Sequence, residues 1–389
     1  MIGQLTKVLN ITQAEVEKGL ELHKKFVIVD GSCGSPHVWS DEMTRRGDEL
    51  IDSGQDLDNV MREFSKMQMK SLLCDPGYRE KHSQVLKKSG VSSIAITIDH
   101  PTFLEGIAQW IYMFDRLGDI YKKFTRTADI RKAKQDGRTV ILWYSQHETD
   151  YIGRDLKKLE LLKRLGIKIV HIAHNQRNFF GDGGEERTDC GLSNLGVEAV
   201  AKMNELGLLI DTSHTGQRTT IDCAENSKDG IVSIHTGCRA VHNHPHNKTD
   251  EVLKAIAEGG GMAGIYMSTN FLSPEGGNIV DWLNHIDHAV EIMGIDHVAI
   301  GTENHDRTGE PKRLSKLEDA WYQLPVHGVK PGDHAYDPSR NPPWPEELES
   351  WTNWPNLTIG LVSRGYSDQE IEKIVGGNWL ALYERVLEK

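Results

Sequence analysis

The sequence predicts a (β/α)8 barrel, the TIM-barrel class of α/β fold, and three observations support this prediction. Eight short apolar runs rich in β-branched residues alternate with segments of helical periodicity. The chain has 389 residues, which suits one such barrel with insertions or, alternatively, two ordinary domains. Polar residues cluster where the apolar runs end, which is where barrels of this class build their sites.

The eight predicted strands are mostly continuous apolar runs rather than alternating ones. Such runs are typical of parallel strands that are covered on both faces. In chain order the predicted strands are Phe26–Asp30, Ser93–Asp99, Thr139–Gln146, Ile167–His174, Gly207–His214, Ile231–His235, Gly261–Met267 and His297–Glu303.

Helices are predicted between the strands from amphipathic spacing and from end signals. Thr249 or Asp250 is a plausible N-cap, and a glycine follows the last residue of several helices. No long linker or internal repeat interrupts the pattern, so we expect residues 1–389 to form a single barrel domain. The clearest helical segments are Asp155–Leu165, Leu195–Leu206, Thr249–Ala257 and Asp281–Met293.

The segment 321–354 is rich in tryptophan and proline and follows the last predicted strand. We expect it to lie near the mouth of the barrel. It would be either a lid that shapes an aromatic-lined pocket, or a surface loop that packs on the barrel or on a second subunit.

Charge and composition exclude several classes of function. The formal net charge is −12, from 45 basic and 57 acidic residues, which disfavours nucleic-acid binding. No run of 18 apolar residues predicts a membrane span, and the N-terminal stretch lacks the apolar core of a secretory signal. The five scattered cysteines fit a reducing cytoplasm better than a disulfide framework.

Histidines and carboxylates follow the predicted strands at their carboxyl ends. Since these ends meet at one mouth of a barrel, His174, His214 and His235 should converge there. Imidazole is the commonest metal ligand, and the arrangement suits a divalent cation such as zinc. The strand ends carry Asp30, Asp99-His100, Gln146-His147-Glu148, His174-Asn175, His214, His235 and Glu303.

Three stretches resemble the membrane (renal-type) dipeptidase family, the M19 metallopeptidases. They are GLLIDTSH at 207–214, IVSIHTGCRA at 231–240, and RGYS at 364–367 with IVGGN at 374–378. The motifs come in family order, and the resemblance covers roughly Val27 to Leu380. It implies a (β/α)8 barrel, a binuclear zinc site, and hydrolysis of dipeptides and related amides.

The resemblance also implies roles for individual residues. His214 and His235 match ligands of the family's second metal, and His174 matches a substrate-binding histidine. Arg239 matches the arginine that pairs with the substrate carboxylate. Glu303 stands where the family has an aspartate that binds the first metal and handles the proton.

Two further residues complete the candidate site. Asp306 follows Glu303 in the same stretch and is either a proton carrier or a loop cap. Tyr266, in the seventh predicted strand, is a candidate substrate contact.

The first strand departs from the family pattern. Where the family reads D-G-H-x-D, this chain reads Asp30-Gly31-Ser32-Cys33-Gly34, so both ligands of the first metal are missing. The family's bridging glutamate aligns with Gln146, His147 or Glu148, and the register stays open. Two cations about 3.5–4 Å apart need negative bridging ligands, so a full binuclear site is not expected.

We therefore expect one zinc ion, or another divalent cation, per chain. His214 and His235 supply two ligands and Glu303 the third, with His147, Glu148 or the Asp99-His100 pair as alternatives. Glu303, His174 and Asp306 are the catalytic candidates.

The predicted function is a dipeptidase-like, metal-dependent hydrolase that cleaves a C–N bond in a small amino-acid-like substrate. Two alternatives remain: the same barrel performing a lyase, dehydratase or decarboxylase reaction, or a metal-free binding protein. The expected partner is a small molecule rather than nucleic acid or membrane. A homodimer is compatible with the sequence.

Overall fold

A computed structural model describes residues 2–34, 38–98, 103–145, 151–274, 277–303, 308–311, 314 and 346–389. Their strands form one parallel sheet in the order β1-β2-β4-β5-β6-β7-β8-β9, with β3 paired to β4 beside that path. All eight predicted strands are present, and the predicted TIM barrel is confirmed. The strands are β1 (Ile28–Asp30), β2 (Val91–Thr97), β3 (Tyr121–Lys123), β4 (Thr139–Ser145), β5 (Ile167–His171), β6 (Leu209–Asp211), β7 (Val232–Thr236), β8 (Met262–Ile265) and β9 (Val298–Ile300).

The barrel closes where the carboxyl ends of β1 and β9 meet. The amide of Gly31 donates to the carbonyl of Ile300 at 2.9 Å, and the amide of Glu303 donates to the carbonyl of Ser32 at 2.7 Å. Gly31 is required here, because a Cβ would lie 2.1 Å from the Trp379 ring. The closure brings the residues that follow β1 and β9 side by side.

Alternate strand residues face two different apolar layers, as in a closed barrel. Val29, Leu142 and Ile169 pack in the layer that fills the barrel interior. Their neighbours Ile28 and Ile141 pack in the layer shared with the surrounding helices. Both faces of the strands are therefore buried, which explains why the strands read as continuous apolar runs.

Helices surround the sheet, and the predicted end signals are present. Thr249 caps its helix by accepting a bond from the amide of Val252, and Gly166 and Gly207 end theirs in the left-handed conformation. A five-residue π-helical turn, Lys373–Gly377, precedes the last helix. The helices are Ile2–Leu9, Gln13–Lys25, Asp41–Asp52, Leu57–Cys74, Pro76–Ser89, Phe103–Arg116, Thr127–Asp136, Lys158–Leu165, Asn194–Leu206, Gln217–Asn226, Asp250–Glu258, Thr269–Leu272, Ile279–Met293, Glu346–Glu349, Pro355–Ser363, Asp368–Glu372 and Asn378–Leu387.

The structure differs from the sequence prediction at strand ends and at one strand. β5 ends at His171 and β6 at Asp211, so His174 and His214 lie in the loops that follow them. β3 was not predicted, because its three residues include two lysines and carry no apolar run.

Several predictions fall on residues that the structure does not describe. Asp306, Asp99-His100 and Gln146-His147-Glu148 lie outside the described residues, as does 321–345 within the tryptophan-rich segment. At the end of that segment Trp351 and Trp354 are buried. That residues 1–389 form a single domain stays a prediction.

Among the described helices, none has the length and apolar character needed to span a membrane.

Candidate metal centre and substrate site

His214 follows β6 and turns one ring nitrogen towards the mouth of the barrel. Its Nδ1 atom is 2.8 Å from the Asn175 Oδ1 atom. Its Nε2 atom is buried and has no hydrogen-bond partner among the described residues. Because the amide oxygen can only accept, Nδ1 carries the proton and Nε2 is left with a lone pair.

His235 on β7 is oriented in the same way by a different group. Its Nδ1 atom lies 3.0 Å from Ser32 Oγ, which in turn lies 3.2 Å from the Tyr144 hydroxyl. Its Nε2 atom is buried and, within the described chain, makes no hydrogen bond. The rings of His214 and His235 are 4.8 Å apart in an edge-to-face arrangement.

Glu303 completes the group from the residues that follow β9. Its Oε1 atom lies 3.7 Å from His235 Nε2, and its side chain is 33% exposed. His214, His235 and Glu303 each offer one ligand atom, and these atoms lie within 4.8 Å of one another. The backbone of Glu303 has φ of 54°, an uncommon conformation for a non-glycine residue that is often retained at functional sites.

Asp211 and His171 form a buried pair beneath this group. Asp211 Oδ2 lies 2.9 Å from His171 Nδ1, and both side chains are fully shielded from solvent. Asp211 Oδ1 accepts bonds from the Ser213 hydroxyl and from the Ile234 amide. The pair thus ties the loop that carries His214 to the strand that carries His235.

Electrostatics in the metal-free site favour uncharged imidazoles and a protonated Glu303. Burial and neighbouring histidines lower the pKa of His214 well below its usual range, and burial lowers that of His235 to about 3. Burial, followed by the charges of Asp211 and Asp30, raises the pKa of Glu303 to about 8. Neutral imidazoles are the form that binds metal.

These residues fit one divalent cation. Two buried imidazole nitrogen atoms without a partner converge with a carboxylate, and two histidines plus one carboxylate form a known catalytic zinc arrangement. In the described part of the chain, no other group of histidines, cysteines and carboxylates has such spacing.

The residues of the first strand do not fit a second cation. Both oxygens of the Asp30 carboxylate accept hydrogen bonds from Thr302, one from its amide and one from its hydroxyl. Ser32 stands where the resemblance expects a histidine ligand, and its hydroxyl is engaged by His235 and Tyr144. The first strand therefore supports the remaining site instead of building another.

The three residues predicted to contact substrate, His174, Arg239 and Tyr266, differ in burial and in hydrogen-bond partners. His174 is partly exposed and stacks on His214, with ring centroids 4.2 Å apart. Arg239 donates from Nη2 to the Pro245 carbonyl at 2.7 Å and from Nε to the His244 carbonyl. Tyr266 is buried, and its hydroxyl donates to Asn247 Oδ1.

The sequence analysis missed several residues that support the site. Asn175, Ser32 and the His171–Asp211 pair orient the histidines without being recognisable as ligands. The only available signal was position, because His171 and Asp211 are the last residues of β5 and β6. Glu185 was also missed, and its Oε1 atom lies 2.7 Å from His246 Nε2.

Comparison with known proteins gives the family. The sequence profile of the membrane dipeptidase family, peptidase family M19, matches residues 16–322. The chain belongs to this family. As a member of the membrane dipeptidase family, it is a dipeptidase-like hydrolase, and the resemblance recognised in its motifs is confirmed.

Individual relatives of this chain have low sequence identity to it. Dipeptidase tcpJ from Claviceps purpurea is 23% identical over 298 residues, which are 74% of this chain and 61% of that protein. An amidohydrolase from Pseudomonas aeruginosa is 26% identical, with a TM-score of 0.73 over 95% of this chain and 99% of that one. A metallopeptidase from Rhodobacter sphaeroides, solved with a phosphinate mimic of the dipeptide L-Ala-D-Ala, shares the fold at 20% identity, with a TM-score of 0.64 over 93% and 99% of the two chains.

Proposed function

We propose that this chain is a mononuclear metallohydrolase that cleaves the amide bond of dipeptides or similar small amino-acid derivatives. The observation that carries the proposal is the pair of buried, unpartnered Nε2 atoms of His214 and His235 beside the Glu303 carboxylate. The dipeptide mimic bound by the Rhodobacter sphaeroides metallopeptidase supports the choice of substrate class.

His214, His235 and Glu303 would hold one zinc ion, although another divalent cation is compatible with the same ligands. A zinc ion in such a site polarises a carbonyl and lowers the pKa of a bound water towards ~7. Asn175 keeps the His214 imidazole in the tautomer that presents an unprotonated Nε2 to the site. Ser32 fixes the orientation of the His235 ring.

The remaining roles belong to residues around this group. Glu303 would also move the proton to the leaving nitrogen, with Asp306 as a further candidate carrier. His174 lies against His214 and would polarise the scissile carbonyl. Arg239 would bind the substrate carboxylate, and Tyr266 would line the same pocket from the end of β8.

Location and assembly complete the proposal. We propose a cytoplasmic protein, because all five cysteines are unpaired.

We also propose a homodimer, since Leu104, Ile111 and Tyr112 leave an apolar face exposed on the helix Phe103–Arg116. Light scattering after size exclusion measures the assembly directly.

The test is the metal content per chain, measured by elemental mass spectrometry on untagged protein purified without chelator. We expect about one zinc per chain in the wild type, and a loss of metal and dipeptide hydrolysis in H214A and E303Q. H288A is the matched control, because His288 pairs with Asp250 away from the strand ends. Two metals per chain would contradict the mononuclear site, and hydrolysis without any metal would contradict the metal-dependent reaction.

A further inference from the structure

The loop 175–191 brings a second carboxylate to the edge of the candidate metal site. The Glu185 amide donates to the Asn175 carbonyl at 2.9 Å, and the Gly184 amide donates to the His214 carbonyl at 2.6 Å. Gly183 allows this close approach, because a Cβ there would lie 1.8 Å from the His174 carbonyl oxygen. The backbone of Glu185 is therefore fixed to residues that build the site.

Only one oxygen of this carboxylate has a partner. Glu185 Oε1 lies 2.7 Å from His246 Nε2, and the two side chains are 12% and 11% exposed. Glu185 Oε2 is shielded from solvent and accepts no hydrogen bond from any described residue. A buried acceptor without a donor is costly, so such an oxygen is satisfied by water or by a ligand when no protein group serves it.

The carboxylate is one imidazole away from the candidate metal ligands. The His246 ring packs edge-to-face on the His214 ring, with centroids 4.6 Å apart. Glu185 belongs to none of the described ligand groups, so it does not extend the metal site itself. Arg177, an arginine of the same loop, pairs with Asp182 and Glu186 rather than with Glu185. The missing donor therefore comes from outside the described protein.

We propose that Glu185 determines substrate specificity by binding the protonated amine of the substrate through Oε2. This inference rests on the proposed function and adds a substrate class to it: compounds with a free ammonium group next to the scissile carbonyl. A carboxylate shielded from water binds an ammonium group through a charge-assisted hydrogen bond, which neutral acyl groups cannot form. N-acylated substrates are consequently poor ones.

The experiment compares alanylalanine with propionylalanine, which lacks only the amine, in the metal-loaded protein. The variants are E185Q, which keeps the size of the side chain and can still accept from His246, and E185D, which keeps the charge. E186Q is the matched control, because Glu186 is adjacent but faces Arg177. Melting temperature and metal content are measured for each variant to exclude misfolding.

We expect wild type to prefer alanylalanine, and E185Q to lose about 10- to 100-fold in kcat/KM for it, as for one charge-assisted hydrogen bond. Hydrolysis of propionylalanine should change less than about twofold, E186Q should match wild type, and E185D should recover part of the loss. Equal losses on both substrates would overturn the inference and assign Glu185 the role of holding His246. If the wild type cleaves both compounds equally, the role of Glu185 is overturned but the proposed function remains. If the wild type cleaves neither compound, the proposed function is refuted.

Discussion

The Nδ1 atom of His235 lies 3.0 Å from the hydroxyl oxygen of Ser32, which stands 203 positions earlier in the chain. This bond sets which nitrogen of the imidazole faces the site, and it places Nε2 3.7 Å from Glu303. Residues of the first strand, which supply metal ligands in the family pattern, here orient a ligand on β7. In the proposed mononuclear site, a residue that replaces a metal ligand of the family pattern therefore orients a candidate ligand of the remaining metal.

Removing the Ser32 hydroxyl should weaken metal binding without unfolding the protein. We expect S32A to lower zinc affinity by about tenfold, since groups that orient a metal ligand typically contribute 10- to 100-fold. Competition with a chromophoric chelator measures this affinity. S93A is the control, because the Ser93 hydroxyl is also buried but donates to the Val140 carbonyl on β4. Unchanged affinity in S32A would show that the bond does not orient His235.

Metal binding should depend on pH through Glu303. The pKa of this carboxyl is raised to about 8 in the metal-free site by burial and by Asp211 and Asp30, so zinc must displace a proton below that pH. The imidazoles of His214 and His235 are already neutral, because their pKa values are lowered, and they add no pH dependence to zinc binding near neutral pH. Zinc affinity should rise about tenfold per pH unit below pH 7 because of Glu303. Above pH 7, ionisation of the zinc-bound water adds to the pH dependence.

Calorimetry in buffers of different ionisation enthalpy checks the number of protons released by zinc binding. About one proton per zinc is expected at pH 6, where Glu303 is protonated before binding and the zinc-bound water is not yet ionised. Below pH 7 the slope should disappear in the residual, weaker zinc binding of E303Q, measured at zinc concentrations higher than those used for the wild type. A slope that persists in this variant would assign the proton to another group.

The Asp211–His171 pair should contribute to stability in a pH-dependent way. Burial alone would raise the pKa of Asp211, but His171 and Ser213 outweigh it and lower the pKa to about 2. Because the folded pKa lies below the usual value of 3.8, the stabilisation is present above pH 3.8 and is lost as the pH falls towards 2.

D211N should therefore lower the free energy of unfolding by about 3–5 kcal/mol at pH 7, as for the loss of one partner of a buried pair. Denaturant unfolding of wild type and D211N at pH 7 and pH 3 measures the difference in the free energy of unfolding between the two proteins. This difference should be smaller at pH 3 than at pH 7. The control is D296N, which breaks the exposed pair of Asp296 with Lys373 and should change little. If wild type and D211N differed in the free energy of unfolding by the same amount at both pH values, the lowered pKa of Asp211 would be refuted.

The backbone at Glu303 should cost stability. Its φ of 54° lies in the left-handed region, which asparagine adopts more readily than glutamate. We expect E303N to raise the free energy of unfolding of the metal-free protein by about 1 kcal/mol while abolishing metal binding. Chemical denaturation with and without zinc separates the two effects. A less stable metal-free variant would refute backbone strain at this position.

Arg239 should recognise the carboxylate of the substrate. Two of its donors are taken by the His244 and Pro245 carbonyls, which fixes the guanidinium and leaves further N–H groups for a ligand. R239Q should raise KM about 10- to 100-fold for a dipeptide and leave KM for the corresponding dipeptide amide nearly unchanged. Equal effects on both compounds would instead show that Arg239 only holds its own loop.

The sequence by itself determined the barrel and the identity of its metal-site candidates. The apolar runs of eight strands are continuous because both faces of each strand are buried, and this pattern is readable without coordinates. The parallel order then requires that residues after β6, in β7 and after β9 meet at one mouth. His214, His235 and Glu303 follow from that rule together with the motifs.

Only the tertiary structure decided how these residues are oriented and which other residues support them. Ser32 and His235 are separated by 203 positions, and Asp211 reaches His171 from a neighbouring strand. Local sequence does not record such contacts, because the first arises when the closed barrel brings the end of β1 to the same mouth as β7, and the second when β5 pairs with β6. The unpaired oxygen of Glu185 is equally invisible in sequence, since burial and the absence of a partner are properties of the packed chain.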